Sequence, residues 1–305
     1  MKKYFLFIGY LLSVACLFFA IDLSVPFTLD KAFFLDNDPK LKYIYEENEK
    51  EDLAIVGASR ALCHYIPAIL SKELNMTCYN YGIGGRNIYN HYIVTKELLN
   101  HNKKPKLILF EVASIDVMDT PGWNGEKLSN MYPLYKKDPD VKIIVDHENK
   151  EDGIALRYLN LYRYNSNLLG LFRATLLGVE PIAHNGYKPL YSSWESDIEV
   201  LEDEYPTVST FKECYLRKNI ESCKNAGVGI VFYNSPEFKR YKNNTAWEKH
   251  IETICREYDI PFINHAHDSL FLSHKDWFNE PVHLNDEGAH VYTSIVSQEL
   301  KQILQ

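Results

Sequence analysis

Near its C-terminus the chain reads Asn279-Glu280-Pro281-Val282-His283-Leu284-Asn285-Asp286-Glu287-Gly288, which sets a histidine just ahead of a helix start with a carboxylate three residues before it. The flanking Pro, Asn, Asp and Gly mark an exposed turn, a poor place for a core histidine. The same place suits a general base, provided that a nucleophile waits elsewhere in the fold. Ser59, at the end of the first apolar run Leu53-Ala54-Ile55-Val56, is such a nucleophile. A serine hydroxyl attacks poorly until a neutral imidazole within hydrogen-bond reach takes its proton. Taken together, Ser59 and His283 suggest a serine hydrolase or an acyltransferase. Taken alone, Ser59 reads more readily as a helix N-cap after a strand.

The elements that must position this pair alternate. After Leu53–Val56 comes a helical stretch to about Leu74, then a strand Thr77–Tyr81 closed by Gly82, Gly84 and Gly85. A helix from about Ile88 to Asn100 leads into the strand Leu107–Val112. Further on, a helix around Phe211–Asn225, a strand Gly227–Tyr233, a helix around Ala246–Tyr258 and a strand Pro261–Asn264 precede a last helix from about Glu287 to Leu304. Apolar runs too short for helices, separated by amphipathic helices, predict an α/β fold with a mainly parallel sheet covered on both faces. Sites in such sheets form at the carboxyl ends of strands. Ser59, the Gly82–Gly85 loop, the Ala113–Asp116 segment and Ser235 all fall there. The stretch from about 117 to 206, with Trp123, Trp194 and many tyrosines, breaks the rhythm and reads as an insertion that shapes access, helical around 154–177. The expected organisation is an anchor at 1–25, a linker at 26–52 and one domain at 53–305.

At the N-terminus, Lys2 and Lys3 precede an uncharged run from Tyr4 to Ile21, which Asp22 closes. As a helix the run spans roughly 27 Å, close to the bilayer core. The lysines before it favour a cytoplasmic N-terminus and an exported remainder. An uncleaved membrane anchor is the favoured reading, with a cleaved signal peptide as its rival. Ser13-Val14-Ala15-Cys16 resembles a lipoprotein cleavage box only faintly, because the sequence stays apolar after the cysteine.

The 305 residues carry a net charge of −8, which excludes a general nucleic-acid binder with a basic face. The 22 tyrosines fit core and strand filling better than a sugar-stacking surface. Six cysteines without Cys-x-x-Cys spacing give no zinc signature, and His265-Ala266-His267-Asp268 lacks further ligands at helical spacing. No metal, nucleotide or other cofactor is called for; the glycine loop lacks the Lys-Ser/Thr of a phosphate cradle.

Gly57-Ala58-Ser59, Asn80-Tyr81-Gly82-Ile83-Gly84-Gly85 and Glu280-Pro281-Val282-His283-Leu284-Asn285 occur in the order seen in SGNH (GDSL-type) hydrolases, which the chain resembles from Leu53 to the C-terminus outside the insertion. The resemblance implies a flavodoxin-like three-layer α/β/α sandwich, with Ser59 as nucleophile and His283 as base. It also implies that Gly85 and the Ser59 amide form part of the oxyanion hole. Ala58 stands where the family has aspartate, and Ile115 where an asparagine would donate to the oxyanion. Ser114 or Arg60 are candidate substitutes for that donor. Glu280 takes the place of the usual aspartate of the triad, with Asp276 as the alternative carboxylate. The membrane anchor favours an acylated carbohydrate, or another ester, of the envelope or extracellular space as substrate, with acetyl as the expected acyl group. Two alternatives stand beside hydrolysis. One is O-acyl transfer with a membrane-bound O-acyltransferase as partner; the other is an inactive domain that binds glycan or scaffolds a complex.

Overall fold

The computed structural model describes residues 2–32, 39–45, 50–119, 128–164, 168–177, 183–197, 200–201, 207–238, 240–241 and 246–305. Trp123 and positions 33–38 and 46–49 of the expected linker lie outside them. The described chain divides into two compact units, one of residues 1–43 with 122–181 and one of residues 44–121 with 182–305.

In chain order the principal elements begin with helix α1 (Lys2–Ala32), strand β1 (Leu53–Val56), helices α2 (Ser59–His64) and α3 (Pro67–Leu74), strand β2 (Cys78–Asn80), helix α4 (Ile88–Asn100) and strand β3 (Leu107–Glu111). Helices α5 (Pro139–Glu148), α6 (Lys150–Tyr158) and α7 (Leu168–Leu177) follow. Helix α8 (Thr210–Asn225), strand β4 (Gly229–Asn234), helix α9 (Ala246–Glu257), strand β5 (Phe262–Asn264), the short strands β6 (Phe278–Glu280) and β7 (His283–Leu284) and helix α10 (Asp286–Ile303) complete the set.

The larger unit is built on a parallel five-stranded sheet of order β2-β1-β3-β4-β5. This is the flavodoxin-like order, whose topological switch point falls between β1 and β3. Side chains alternate across it. Leu53, Ile55, Leu107, Leu109, Val231 and Tyr233 pack into one core with Ala61 of α2, Leu70 of α3 and Tyr292, Val296 and Leu300 of α10. Phe110 and Phe232 face the other layer, where Phe110 meets His91 of α4 and Tyr89 of α4 meets Tyr215 of α8. Burial on both faces explains why these strands read as continuous apolar runs.

Local chemistry sets the element ends. The Asn87 side chain caps α4 by accepting from the Tyr89 amide, and Asn285 caps α10 by accepting from the Gly288 amide at 3.0 Å. Such caps satisfy amides that have no intrahelical acceptor. The expected helix from Ser59 to Leu74 is two helices, because Pro67 removes an amide and fixes the chain at the start of α3.

In the smaller unit, α1 is apolar over Lys2–Ser24 and long enough to cross a membrane. The helix continues to Ala32, past the expected anchor boundary at 25. The expected helical stretch at 154–177 is α6, a 3₁₀ turn at Leu161–Tyr164 and α7.

Candidate active site

Ser59 opens α2 directly after β1, beyond Gly57 and Ala58. Gly57 has φ +154°, and a Cβ there would sit 2.7 Å from the Glu111 carbonyl oxygen, so only glycine lets β1 pass β3 so closely. The Ser59 amide has no acceptor within its own helix. His283 lies on β7, which pairs antiparallel with β6, and this pairing sets Glu280 opposite His283. The hairpin brings the three side chains into line. His283 Nε2 lies 2.6 Å from Ser59 Oγ, and His283 Nδ1 is hydrogen-bonded to the Glu280 carboxylate. The array is half-open to solvent, as a group that meets an external substrate must be.

Of the two expected carboxylates, Glu280 meets the imidazole. Asp276 lies in a 3₁₀ turn, its side chain largely exposed and 3.6 Å from His274. Glutamate reaches although it is longer than aspartate, because cross-strand pairing sets the two residues side by side.

The glycine loop folds against α2. Asn80 at the end of β2 donates through Nδ2 to the carbonyls of Ala61 (2.6 Å) and Tyr65 (3.0 Å), and its Oδ1 accepts from the Gly82 amide at 2.9 Å. A side chain at Gly82 would strike the Leu62 amide at 2.5 Å. The glycine beside Ser59 is Gly84, whose hypothetical Cβ would be 3.9 Å from the Ser59 Cβ. Gly85, the residue singled out from sequence, follows with φ +70°, which turns the loop away. Ser114, exposed, starts a 3₁₀ turn three residues after the end of β3, and the turn closes on the buried Asp116.

Arg60, a candidate oxyanion donor by sequence, lies in the interior instead. Its guanidinium is buried. Nε meets Glu111 Oε1 at 3.0 Å, Nη1 meets Glu237 at 3.0 Å, and Nη2 donates to the Val112 carbonyl and to Asn234 Oδ1 at 2.7 and 2.8 Å. With these donors engaged inside the protein, the side chain is a structural cation under the site.

Sequence reading missed what surrounds that cation. Glu111, at the end of β3, accepts from the Ser235 amide (3.1 Å), the Ser235 hydroxyl (2.7 Å) and the Tyr65 hydroxyl as well as from Arg60. Burial raises the Glu111 carboxyl, while Arg60 and these donors oppose the rise. Ser235 Oγ lies 2.8 Å from His64 Nδ1, and His64 Nε2 accepts from the Leu284 amide at 2.9 Å. An amide can only donate, so Nε2 is unprotonated, and the neutral ring carries its proton on Nδ1. The chain therefore runs one way: His64 donates to Ser235, and Ser235 donates to Glu111. Burial, with the neighbouring His283 and Arg60, holds His64 well below the usual histidine range. The available signal was a carboxylate ending an otherwise apolar strand, Leu107-Ile108-Leu109-Phe110-Glu111. Elsewhere His265 pairs with Glu299 at 3.0 Å and His267 with Glu248 at 3.2 Å.

No family model matches the chain, and no curated protein matches it. Among solved structures it is similar to a protein described as an acylhydrolase from Bacteroides fragilis, at 11% identity and a TM-score of 0.43, over 87% of this chain and 95% of that one. It is also similar to a protein described as a lipolytic protein of the G-D-S-L family from Desulfitobacterium hafniense, at 10% identity and a TM-score of 0.40, over 81% of this chain and 97% of that one.

Proposed function

We propose that the chain is a serine-dependent esterase of SGNH type that removes a small acyl group, acetyl in the first instance, from an envelope or extracellular glycan. The observation that carries this reading is the continuous hydrogen-bonded line from Ser59 through His283 to Glu280. In the reaction, His283 Nε2 takes the Ser59 proton as Oγ attacks the ester carbonyl. Glu280 keeps the other ring proton on Nδ1 and stabilises the imidazolium that forms. The Ser59 amide and the glycine-loop amides at Gly84 and Gly85 hold the oxyanion. Collapse of the tetrahedral intermediate returns the proton from His283 to the departing sugar oxygen and leaves an acyl-Ser59 ester. Water, deprotonated by the same imidazole, then attacks that ester and frees the acid.

A binding-only domain would need Ser59 and His283 out of reach of one another, and a separation of 2.6 Å speaks against it. Transfer to a second hydroxyl uses the same acyl-serine, and the acceptor decides between the two outcomes.

The test is labelling of the detergent-solubilised full chain by a fluorophosphonate probe, with acetylated polysaccharide as the second substrate. Labelling that disappears in Ser59→Ala and weakens in His283→Ala, with release of acetate, supports the esterase. Absence of labelling in a folded wild-type sample overturns it. Acetate that appears on an added glycan rather than in solution replaces hydrolysis by transfer.

A further inference from the structure

Ser235 stands directly after β4, fully buried, and takes no part in the bond changes at Ser59. Its main chain is fixed at both ends. The amide donates to Glu111 Oε1 at 3.1 Å, and the carbonyl accepts from Arg60 Nη1 at 3.3 Å. The hydroxyl lies 2.7 Å from Glu111 Oε1 and 2.8 Å from His64 Nδ1. Glu111 Oε1 also faces Arg60 Nε at 3.0 Å. The Ser235 amide and Arg60 Nε can only donate, so this oxygen is unprotonated and takes the hydroxyl proton as well.

A hydroxyl has one proton to give, and this one goes to Glu111. Ser235 Oγ therefore turns lone pairs toward His64, and Nδ1 must donate to it. A neutral imidazole carries a single N–H. With that proton on Nδ1, Nε2 is free to accept from the Leu284 amide at 2.9 Å. Without the hydroxyl the proton is free to move to Nε2, where it would meet the Leu284 N–H donor to donor. The ring has little room to retreat: His64 closes α2, and its carbonyl accepts from Thr293 of α10 at 3.1 Å. The strand that must yield is the two-residue β7, which carries His283 beside Leu284. His283 Nε2 stands 2.6 Å from Ser59 Oγ, and proton transfer depends on that reach.

We propose that Ser235 is a positioning residue for the general base: it fixes the tautomer of His64 and, through the Leu284 amide, the place of His283. The inference rests on the esterase reading, in which His283 is that base. Two carboxylates then govern one catalytic ring. Glu280 sets its proton directly, and Glu111 sets its place through Ser235 and His64.

The test is a double-substitution cycle on the detergent-solubilised full chain. Hydrolysis of p-nitrophenyl acetate gives the rate, and nuclear magnetic resonance of isotope-labelled histidine reports which ring nitrogens carry protons. Ser235→Ala should lower kcat by about 10–10²-fold and leave KM within about twofold. In the same variant the His64 proton should move from Nδ1 to Nε2. The amide of His64→Gln accepts and donates but has no tautomer to lose, so in that background Ser235→Ala should change kcat by less than about twofold. An equal loss in both backgrounds overturns the proposal, because Ser235 would then act through Glu111 or packing alone. So does a rise in KM at constant kcat. A His64 proton found on Nε2 in the wild type overturns it with no variant at all. A wild type that neither hydrolyses the ester nor takes the fluorophosphonate fails the esterase reading instead. The ring signals of His64 and His283 in Ser235→Ala then decide by themselves whether Ser235 positions the ring.

Discussion

At the scale of single residues, Glu280 and His64 hold His283 from two sides. Glu280 fixes the tautomer, and His64 fixes the strand, because its Nε2 accepts from the amide of the very next residue, Leu284. Glu280→Gln presents an amide that can donate where the ring must donate, so turnover should fall by about 10³–10⁴-fold. Asp276→Asn, on a residue turned to solvent, should stay within about twofold, and initial rates on an acetyl ester compare the two. His64 also makes stability depend on pH. Its folded-state pKa is depressed, so the unfolded chain binds the proton first. The contribution of His64 is therefore present above about pH 6.5, the unfolded histidine value, and is lost as pH falls below it. The groups around it are Ser235, Leu284, Tyr292, His283 and Arg60. The unfolding free energy from urea titrations between pH 7 and pH 5 should fall by up to about 1.4 kcal/mol per pH unit in the wild type and flatten in His64→Gln. A slope unchanged by the substitution would assign the titration to another group.

At the scale of elements, the site is the meeting of three strand ends with one hairpin. Gly82 is a tight joint, since a methyl group there would collide with the backbone of α2, which carries Ser59. Gly82→Ala should therefore cost about 1–3 kcal/mol of stability and lower turnover more than substrate affinity, because it moves the nucleophile and not the binding surface. A rise in KM at constant kcat would contradict this. The strands were legible in the sequence because burial on both faces leaves short apolar runs, and β1, β3 and β4 fall within a residue or two of their expected bounds. Helix α4 matches the expected Ile88–Asn100. Ser59, His283 and Glu280 were legible because a turn composition exposes polar residues that a core would reject. The Arg60–Glu111–Ser235–His64 network was not, since its bonds join residues 51 to 175 positions apart and no spacing records them. Arg60 follows Ser59 in sequence, yet one step along a helix turns its side chain by about 100°, from the open end into the core.

At the scale of the whole molecule, the sidedness of the membrane decides which substrates the site can meet, and the cysteines offer a way to read it. None of the six forms a disulfide, and Cys63, Cys78, Cys223 and Cys255 are buried. Burial pushes the Cys223 and Cys255 thiols up to about 12, and burial raises Cys78 as well, so these remain protonated and inert at neutral pH. Cys16 is exposed only on the apolar stretch of α1, where lipid would cover it. That leaves Cys214 on α8 as the one water-facing thiol. If the N-terminus is cytoplasmic, as Lys2 and Lys3 before the apolar stretch predict, the larger unit should lie outside. A membrane-impermeant maleimide applied to intact cells should then label the wild type at one site, and Cys214→Ser should abolish the signal without changing the amount of protein in the membrane fraction. Labelling that appears only after the cells are permeabilised would put the larger unit in the cytoplasm. Envelope glycans would then be out of its reach, and the substrate would have to be an intracellular ester.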